Sequence, residues 1–147
     1  MLHFEDLKPG DRYRTPEHTV TAEEIIAFAK QYDPQPFHTD AVAAKGSLFG
    51  QLVASGWHTA AISMGLMVRG DMGLDGGVIG HGVDNLRWPR PVLPGDRLHV
   101  VMEIAELDPE PSRTGRGRVR LLCRTLNQEG KVVQEMTARL LVSRRNT

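Results

Sequence analysis

The chain has 147 residues, and its 18 basic and 18 acidic side chains give a formal net charge of zero. A chain of this length can bury one sizeable core, so we predict a single domain over residues 1–147. The balanced charge offers no basic surface for nucleic acid, and no apolar run approaches the roughly 18 residues that a membrane span needs.

Targeting and redox features favour a cytoplasmic protein. Charged residues interrupt the N-terminal segment "MLHFEDLKPGD" before any apolar stretch forms, which argues against a secretory signal peptide. The one cysteine, Cys123, cannot form an internal disulfide. Its surroundings, "VRLLCRTL", favour a small buried apolar residue over a nucleophile. We therefore expect a cytoplasmic location and no structural disulfide.

The first clear helix lies in "TVTAEEIIAFAKQYD", after short extended pieces at the N-terminus. Thr21 can accept a hydrogen bond at the helix start, and Glu24 completes a capping box with it. Pro34 disfavours helical geometry at the residue before it, Asp33. The helix is therefore predicted to end near Tyr32.

Two more helices are predicted further along the chain. The segment "TDAVAAKG" indicates a short helix that ends at Gly46. The segment "SGWHTAAISMGLMVRG" indicates a long helix with apolar residues on nearly every side. A helix of that kind is usually buried, so we predict a buried central helix. Its helically spaced residues are Trp57, Ala60, Ala61, Met64, Met67 and Val68.

From Gly77 onward the apolar residues recur at every second position, which is typical of strands with one covered face. The strands are predicted in "GVDNLRWP", "RLHVVMEIAEL", "GRVRLLCRTLN" and "KVVQEMTARLLV", with a hairpin turn at "NQEGK". One long buried helix followed by antiparallel strands indicates an α+β fold. The simplest way to bury both is to curve the sheet around the helix.

The segment "YDPQPFH" carries the chemistry that stands out in this sequence. It places Asp33 and His38 five residues apart, around Pro34 and Pro36. The prolines restrict the backbone, so the two side chains can be held toward one cavity. A carboxylate and an imidazole can share one water, one accepting its proton while the other supplies a proton to a substrate. The alternative is that both side chains only cap local turns.

A second feature lies at the start of the long helix, where Ser55 precedes Gly56 in "ASGWHTAA". Free N–H groups at a helix start suit a developing oxyanion, and glycine allows a substrate carbonyl to approach. Close helix packing is the alternative explanation of the glycine. His58 and His81, taken with His38, match no zinc-binding spacing, so no metal site is predicted.

Three motifs in this order resemble the MaoC-like dehydratases, the group that contains the (R)-specific enoyl-CoA hydratases. "YDPQPFH" resembles their hydratase motif, Asp-x-Asn-Pro-apolar-His, and here it spans Asp33 to His38. "FGQLVASGWHTAA" resembles the segment that leads into their central helix. "LRWPRPVLPGDRL" resembles their strand–turn–strand segment. The resemblance covers roughly residues 4–142.

The resemblance implies a hot-dog fold, in which a curved antiparallel sheet wraps one long helix, and a homodimer or a higher homo-oligomer. It implies that Asp33 and His38 are the catalytic acid/base pair and that the Gly56 N–H binds the thioester carbonyl. Gln35 replaces the usual Asn, and Tyr32 replaces the usual Gly, so the water is expected to shift and the pocket to narrow. The residues predicted to contact the substrate are Tyr32, Gln35, Phe37, Ser55, Trp57, Arg87 and Arg90.

The predicted reaction is therefore the reversible addition of water to a 2-enoyl-CoA, giving an (R)-3-hydroxyacyl-CoA. Arg87 and Arg90 flank a turn where guanidinium groups could meet CoA phosphates, although solvated strand-edge arginines are the alternative. No cofactor is expected beyond the coenzyme A that the substrate carries, and an acyl-carrier protein could replace it. Two other functions stay open, a hot-dog acyl-CoA thioesterase and a non-catalytic acyl-CoA binding protein.

Overall fold

The computed structural model of the chain describes residues 1–108 and 114–145. It contains four α-helices and six strands within these ranges, together with one 3-10 turn at Phe4–Asp6. The helices are α1 (Ala22–Tyr32), α2 (Pro36–Thr39), α3 (Ala41–Ala44) and α4 (Gly56–Arg69). The strands are β1 (Arg12–Arg14), β2 (His18–Thr19), β3 (Ile79–Arg87), β4 (Arg97–Asp108), β5 (Gly117–Leu126) and β6 (Val132–Val142).

The six described strands form one antiparallel sheet in the order β1-β4-β5-β6-β3, and the short β2 also pairs with β4. The hairpin predicted at "NQEGK" joins β5 to β6, and the Asn127 N–H donates to the Lys131 carbonyl across it. Gly130 has a φ of +73° in this turn, a conformation that glycine adopts without steric cost. Strands β1 and β3 are the two edges of the sheet.

Alternating residues of the long strands form the core, as the period of two predicts. Leu98, Val100, Met102 and Ile104 of β4 are buried, and so are Val119, Leu121 and Cys123 of β5. Burial raises the pKa of the Cys123 thiol to about 12, which agrees with its predicted role as a small apolar residue.

In "KVVQEMTARLLV" the period of two predicts inward side chains at Val132, Met136, Ala138, Leu140 and Val142. This prediction for β6 is correct in the second half of the strand and wrong at its start. Ala138, Leu140 and Val142 are buried as expected, but Val133 replaces Val132 as the first inward residue. The cause is an irregularity in the pairing of β5 with β6, because the register shifts where the strands leave the hairpin. A one-residue shift moves the side chains to the opposite face of a strand.

Helix α1 has the predicted boundaries because local signals determine both of its ends. Thr21 Oγ1 accepts from the Glu24 N–H at 3.2 Å, and the Glu24 carboxylate accepts from the Thr21 N–H at 2.8 Å. This reciprocal pair is the predicted capping box. The helix ends at Tyr32, directly before Asp33 and Pro34.

Helix α4 lies against the sheet, but it is not buried on every side as predicted. Its buried face carries polar residues, among them Ser63, whose hydroxyl lies 2.7 Å from that of Thr125 on β5. Its other face leaves Trp57, Met64 and Val68 exposed at 59%, 40% and 60%. Paired hydroxyl groups can be buried at little cost, so tertiary partners decided which face turned inward. None of the described helices is long and apolar enough to cross a membrane.

Candidate active site

The motif "YDPQPFH" forms a tight connection between α1 and α2. The Asp33 N–H donates to the Ala29 carbonyl at 2.8 Å and closes α1. Pro36 occupies the first position of α2, where its missing N–H leaves no donor unsatisfied. The His38 N–H then donates to the Gln35 carbonyl at 2.9 Å. The backbone of the motif is therefore fixed from both sides of Pro34.

His38 is buried, and the surrounding backbone determines which of its nitrogens carries hydrogen. Its Nδ1 lies 2.6 Å from the Val53 carbonyl oxygen, which can only accept. Nδ1 is therefore protonated, and Nε2 is left to exchange a proton. Nε2 lies 3.3 Å from Asp33 Oδ2, so the predicted acid and base are neighbours.

The Asp33 carboxylate is held by a neutral donor as well as by His38. Gln35 Nε2 donates to Asp33 Oδ1 at 2.6 Å, and the hydroxyl of the buried Ser55 adds to the groups that favour the ionised form of this carboxylate. Burial alone would raise the pKa of Asp33, but the Ser55 hydroxyl, the Gln35 amide and the charge of His38 together lower it below its usual value. Asp33 is therefore ionised at neutral pH, and 18% of its side chain stays accessible to water.

Helix α4 starts beside this pair. Ser55 caps it, because its hydroxyl oxygen accepts from the Trp57 N–H at 3.2 Å. Gly56 is the first helical residue, so its N–H has no acceptor within the helix. Main-chain bonds fix the approach to this point, with the Val53 N–H donating to the Phe37 carbonyl and the Ala54 N–H to the Val92 carbonyl.

Gly56 also packs closely, which is the alternative explanation that the sequence left open. A Cβ atom at this position would lie 2.6 Å from the Trp88 ring, closer than real contacts allow. Trp88 Nε1 donates to the side chain of the buried Gln134 at 2.9 Å, so the ring cannot easily move away. The absence of a side chain at Gly56 is therefore required by packing, whether or not its N–H binds a substrate.

A cavity of about 320 Å³ opens between these elements. Four of the predicted site residues line it, namely Phe37, His38, Gly56 and Arg90. The other lining residues were not predicted to contact a substrate: Phe49, Val53, Ala54, Thr59, Trp88, Pro89, Pro91 and Val92. The signal that could have identified Trp88 was the motif "LRWPRPV", but its proximity to Gly56 depends on the tertiary fold.

The remaining predicted site residues lie outside the cavity wall. Tyr32 is exposed and packs on Phe28, with ring centroids 5.0 Å apart, so it does not narrow this cavity. Trp57 is exposed beside the ring of Trp88. Arg87 forms an ion pair with Glu135 at 2.9 Å.

The last two residues that were predicted to contact the substrate, Gln35 and Ser55, are engaged by other parts of the protein. Gln35 donates to Asp33, the Ser55 hydroxyl accepts from the Trp57 N–H at the start of α4, and neither residue lines the cavity. Ser55 is completely buried, so it cannot reach a bound substrate without a change in structure.

A second buried histidine, His58, lies in the first turn of α4. Its ring stacks on that of Phe28, with centroids 4.6 Å apart and planes 9° apart. Its Nδ1 has no hydrogen-bond partner within the part of the chain that the structure describes. Burial lowers the pKa of His58. In residues 1–108 and 114–145, no three His, Cys, Asp or Glu side chains are grouped so that they could hold a metal ion.

Comparisons with known proteins relate the chain to one family. Residues 5–122 match the family described as "MaoC like domain". The 3-hydroxybutyryl-CoA dehydratase of Methylorubrum extorquens is 33% identical over 125 residues, which cover 84% of this chain and 73% of that protein. The chain spans 29% of another curated relative, Protein MaoC from Klebsiella aerogenes, and is 37% identical to it over 99 residues.

Solved structures extend the likeness to the whole fold. A MaoC-like dehydratase from Rhodospirillum rubrum is 50% identical, with a TM-score of 0.94 over the full length of both chains. The (R)-hydratase PhaJ1 from Pseudomonas aeruginosa is 27% identical, with a TM-score of 0.76 over 97% of this chain and 86% of that one. These likenesses confirm the predicted α+β hot-dog fold.

Proposed function

The chain belongs to the MaoC-like dehydratase family, and from this premise we propose that it adds water reversibly to a 2-enoyl-CoA. The product is an (R)-3-hydroxyacyl-CoA. The observation that carries the proposal is the 3.3 Å approach of His38 Nε2 to Asp33 Oδ2, beside a cavity that the start of α4 also lines. The likeness to an (R)-hydratase supports the stereochemistry of the product.

The pair acts on one water molecule in the proposed mechanism. Asp33, whose pKa is lowered by Ser55, Gln35 and His38 against the effect of burial, accepts a proton from the water. The water oxygen bonds to C3 of the enoyl thioester. Protonated His38 Nε2 delivers its hydrogen to C2, on the same side of the double bond. A proton transfer from Asp33 to His38 then restores the starting state.

The Gly56 N–H stabilises the negative charge that develops on the thioester oxygen after water attacks C3 and before C2 is protonated. Because this N–H is the first of α4, it is free to donate to a ligand, and the helix dipole favours a negative charge at this position. Trp88 and Phe37 form apolar walls of the cavity, which exclude bulk water from the reacting atoms.

The direct test is a hydration assay on a panel of 2-enoyl-CoA substrates, followed by chiral analysis of the product. The wild-type chain is expected to consume the conjugated thioester and to form the (R)-3-hydroxy product. Asp33→Asn and His38→Ala are each expected to abolish the reaction while the chain stays folded. Full activity in either variant would contradict the assignment.

The same assay separates the two other functions. A thioesterase would release free thiol from an acyl-CoA, which a thiol reagent detects. A binding protein would bind acyl-CoA across the panel without forming any product. Either result would replace the hydratase proposal.

Arg90 is the arginine of the predicted pair that is best placed to meet a CoA phosphate. It lines the cavity and donates to the Val132 carbonyl at 3.1 Å, whereas the charge of Arg87 is balanced by Glu135. Arg90→Glu is expected to raise the KM for CoA substrates by about tenfold, the order expected for one charged contact. Arg12→Glu, an equal charge change on the opposite edge of the sheet, is the control. An unchanged KM in Arg90→Glu would contradict the proposed contact between Arg90 and a CoA phosphate.

We also propose that the chain assembles with a second copy of itself. Strand β3 is an unpaired edge of the sheet, and the neighbouring face of α4 exposes Met64 and Val68. Sedimentation equilibrium is expected to give a dimer or a higher oligomer, and Val68→Glu is expected to weaken it. A monomeric wild-type chain at micromolar concentration would contradict this proposal.

A further inference from the structure

We propose that Gln35 is a positioning residue, whose side-chain amide binds one oxygen of the Asp33 carboxylate and so leaves the other oxygen to face His38. The inference rests on the proposed hydration by Asp33 and His38. It gives Gln35 a role different from the substrate contact that the sequence predicts.

The two oxygens of the Asp33 carboxylate have different partners. Gln35 Nε2 donates to Oδ1 at 2.6 Å, and His38 Nε2 lies 3.3 Å from Oδ2. The carboxylate cannot turn about its Cβ–Cγ bond without losing the hydrogen bond to the amide. The Gln35 amide therefore fixes the orientation in which Asp33 meets the imidazole, and with it the side of the carboxylate that is left for water.

The backbone of Gln35 is anchored on both sides, so its side chain starts from a fixed point. Its N–H donates to the Asp33 carbonyl at 2.7 Å. Its carbonyl accepts from the N–H groups of His38 and Thr39 at 2.9 and 3.1 Å, and from the Thr39 hydroxyl at 3.0 Å. Gln35 directly precedes α2, yet within the described part of the chain its side chain forms no capping hydrogen bond to that helix. The amide therefore serves Asp33 and not the helix.

The electrostatic effect of the amide agrees with this placement. Burial raises the pKa of Asp33, whereas the Ser55 hydroxyl, the Gln35 amide and His38 lower it. Of the described groups that shift this pKa, only His38 ionises. Loss of the amide is therefore expected to raise the pKa of Asp33, because one donor to the ionised form is removed. Asp33 would then be protonated over a wider range of acidic pH, where it could not accept a proton from water.

The kinetic test uses Gln35→Met, which keeps an unbranched side chain of similar length but cannot donate. Gln35 is exposed, so the variant is expected to fold. We expect kcat to fall by about 10-fold, because a misplaced carboxylate slows proton transfer while His38 still contacts it. The acidic limb of the kcat/KM profile is expected to move up by about half to one pH unit, the size of one hydrogen bond. KM is expected to stay within about twofold, since Gln35 does not line the cavity.

Gln128→Met is the matched control, because it removes the same kind of bond elsewhere. Gln128 Nε2 donates to Asp96 Oδ1 at 3.0 Å, and both residues lie outside the cavity wall. This variant is expected to lower Tm and to leave kcat and the pH profile unchanged. A wild-type kcat in Gln35→Met would overturn the inference. A raised KM with unchanged kcat would overturn it too, because Gln35 would then act as the substrate contact that the sequence predicts.

A second measurement does not depend on turnover. Carbon-13 NMR titration of the Asp33 carboxyl group is expected to give a higher pKa in Gln35→Met than in the wild type, with Gln128→Met unchanged. An equal Asp33 pKa in Gln35→Met and in the wild type would overturn the inference, even in a fully active enzyme. A raised pKa in a chain whose wild type hydrates no enoyl-CoA would support the contact and contradict the proposed function instead.

Discussion

Two histidines of this chain are buried to the same extent, each with 6% of its surface exposed, yet their surroundings differ completely. His38 has both nitrogens engaged, with Nδ1 on the Val53 carbonyl and Nε2 beside Asp33. His58 stacks on the ring of Phe28 and has an unpartnered Nδ1 within the described ranges. Burial alone therefore does not make an imidazole useful in catalysis. The hydrogen-bond partners of the imidazole are what suit it to catalysis, because they determine its tautomer and provide a second group for proton exchange.

The largest effect expected from this comparison is on activity. His38→Gln is expected to lower kcat for hydration by about 1,000-fold, within the range of general acid/base catalysis, because the acid/base pair is lost. His58→Phe keeps an aromatic ring against Phe28 and is expected to change kcat by less than about fivefold, since His58 contacts no reacting group. Steady-state rates on one short 2-enoyl-CoA measure both. Similar losses in the two variants would show that the difference in partners has no functional meaning.

The next effect concerns the two glycines of α4, one near each histidine. Gly56→Ala forces a Cβ into the ring of Trp88 and is expected to lower the free energy of unfolding by about 1–3 kcal/mol. Gly65 lines the groove that contains His58, and a Cβ there would meet only the far end of the flexible Arg69 side chain. Gly65→Ala is therefore expected to stabilise the chain by about 0.5–1 kcal/mol, as alanine favours helix interiors.

Urea denaturation of both glycine variants measures this difference directly. The stabilities are expected to move in opposite directions. A stable and active Gly56→Ala chain would mean that Trp88 can leave its bond to Gln134, and the cavity wall would then be less rigid than its contacts indicate.

The smallest effect is on the pH dependence of stability. Burial lowers the pKa of His58, so the unfolded chain binds a proton on this ring at higher pH than the folded chain does. The free energy of unfolding is therefore expected to fall as pH drops below 6.5, the ordinary value, until the folded-state pKa is reached. His58→Phe is expected to remove this slope, and thermal unfolding at several pH values checks it. An unchanged slope would mean that other groups cause it.

Asp33 affects the free energy of unfolding in a different pH range from His58. Burial raises the pKa of Asp33, but the Ser55 hydroxyl, the Gln35 amide and His38 together lower it below its usual value. The stability that it contributes is present above the usual aspartate value of 3.8 and is lost as pH falls through its lower folded-state pKa. The stability that depends on His58 should therefore be lost as pH drops below 6.5, and the stability that depends on Asp33 only below 3.8.

Local signals in the sequence predicted the parts of the fold that depend on neighbouring residues. The capping box of α1, its end before Pro34 and the turn at "NQEGK" were each confirmed, because each depends on residues within a few positions of one another. The resemblance to a family provided the hot-dog fold, which periodicity alone could not. The cytoplasmic location, the absence of a cofactor and the single domain over residues 1–147 stay predictions.

Helix α4 shows where prediction from sequence reached its limit. A helix with apolar residues on all sides has no pattern that identifies its inner face. Thr125 on β5 pairs with Ser63, and Phe28 on α1 stacks on His58, so distant elements selected the polar face for burial. The same holds for Trp88, which meets Gly56 only after the chain has formed the sheet.

Because Trp88 lines the cavity, its fluorescence can report when a ligand enters. The chain has two tryptophans, and Trp57→Phe would leave Trp88 as the single one, at the surface of the cavity. Its fluorescence would then respond to the entry of an acyl thioester, and stopped-flow mixing would give association and dissociation rates. In a chain that also carries Asp33→Asn, the signal would record binding alone. The position of one indole ring thus allows the kinetics of binding to be separated from those of water addition.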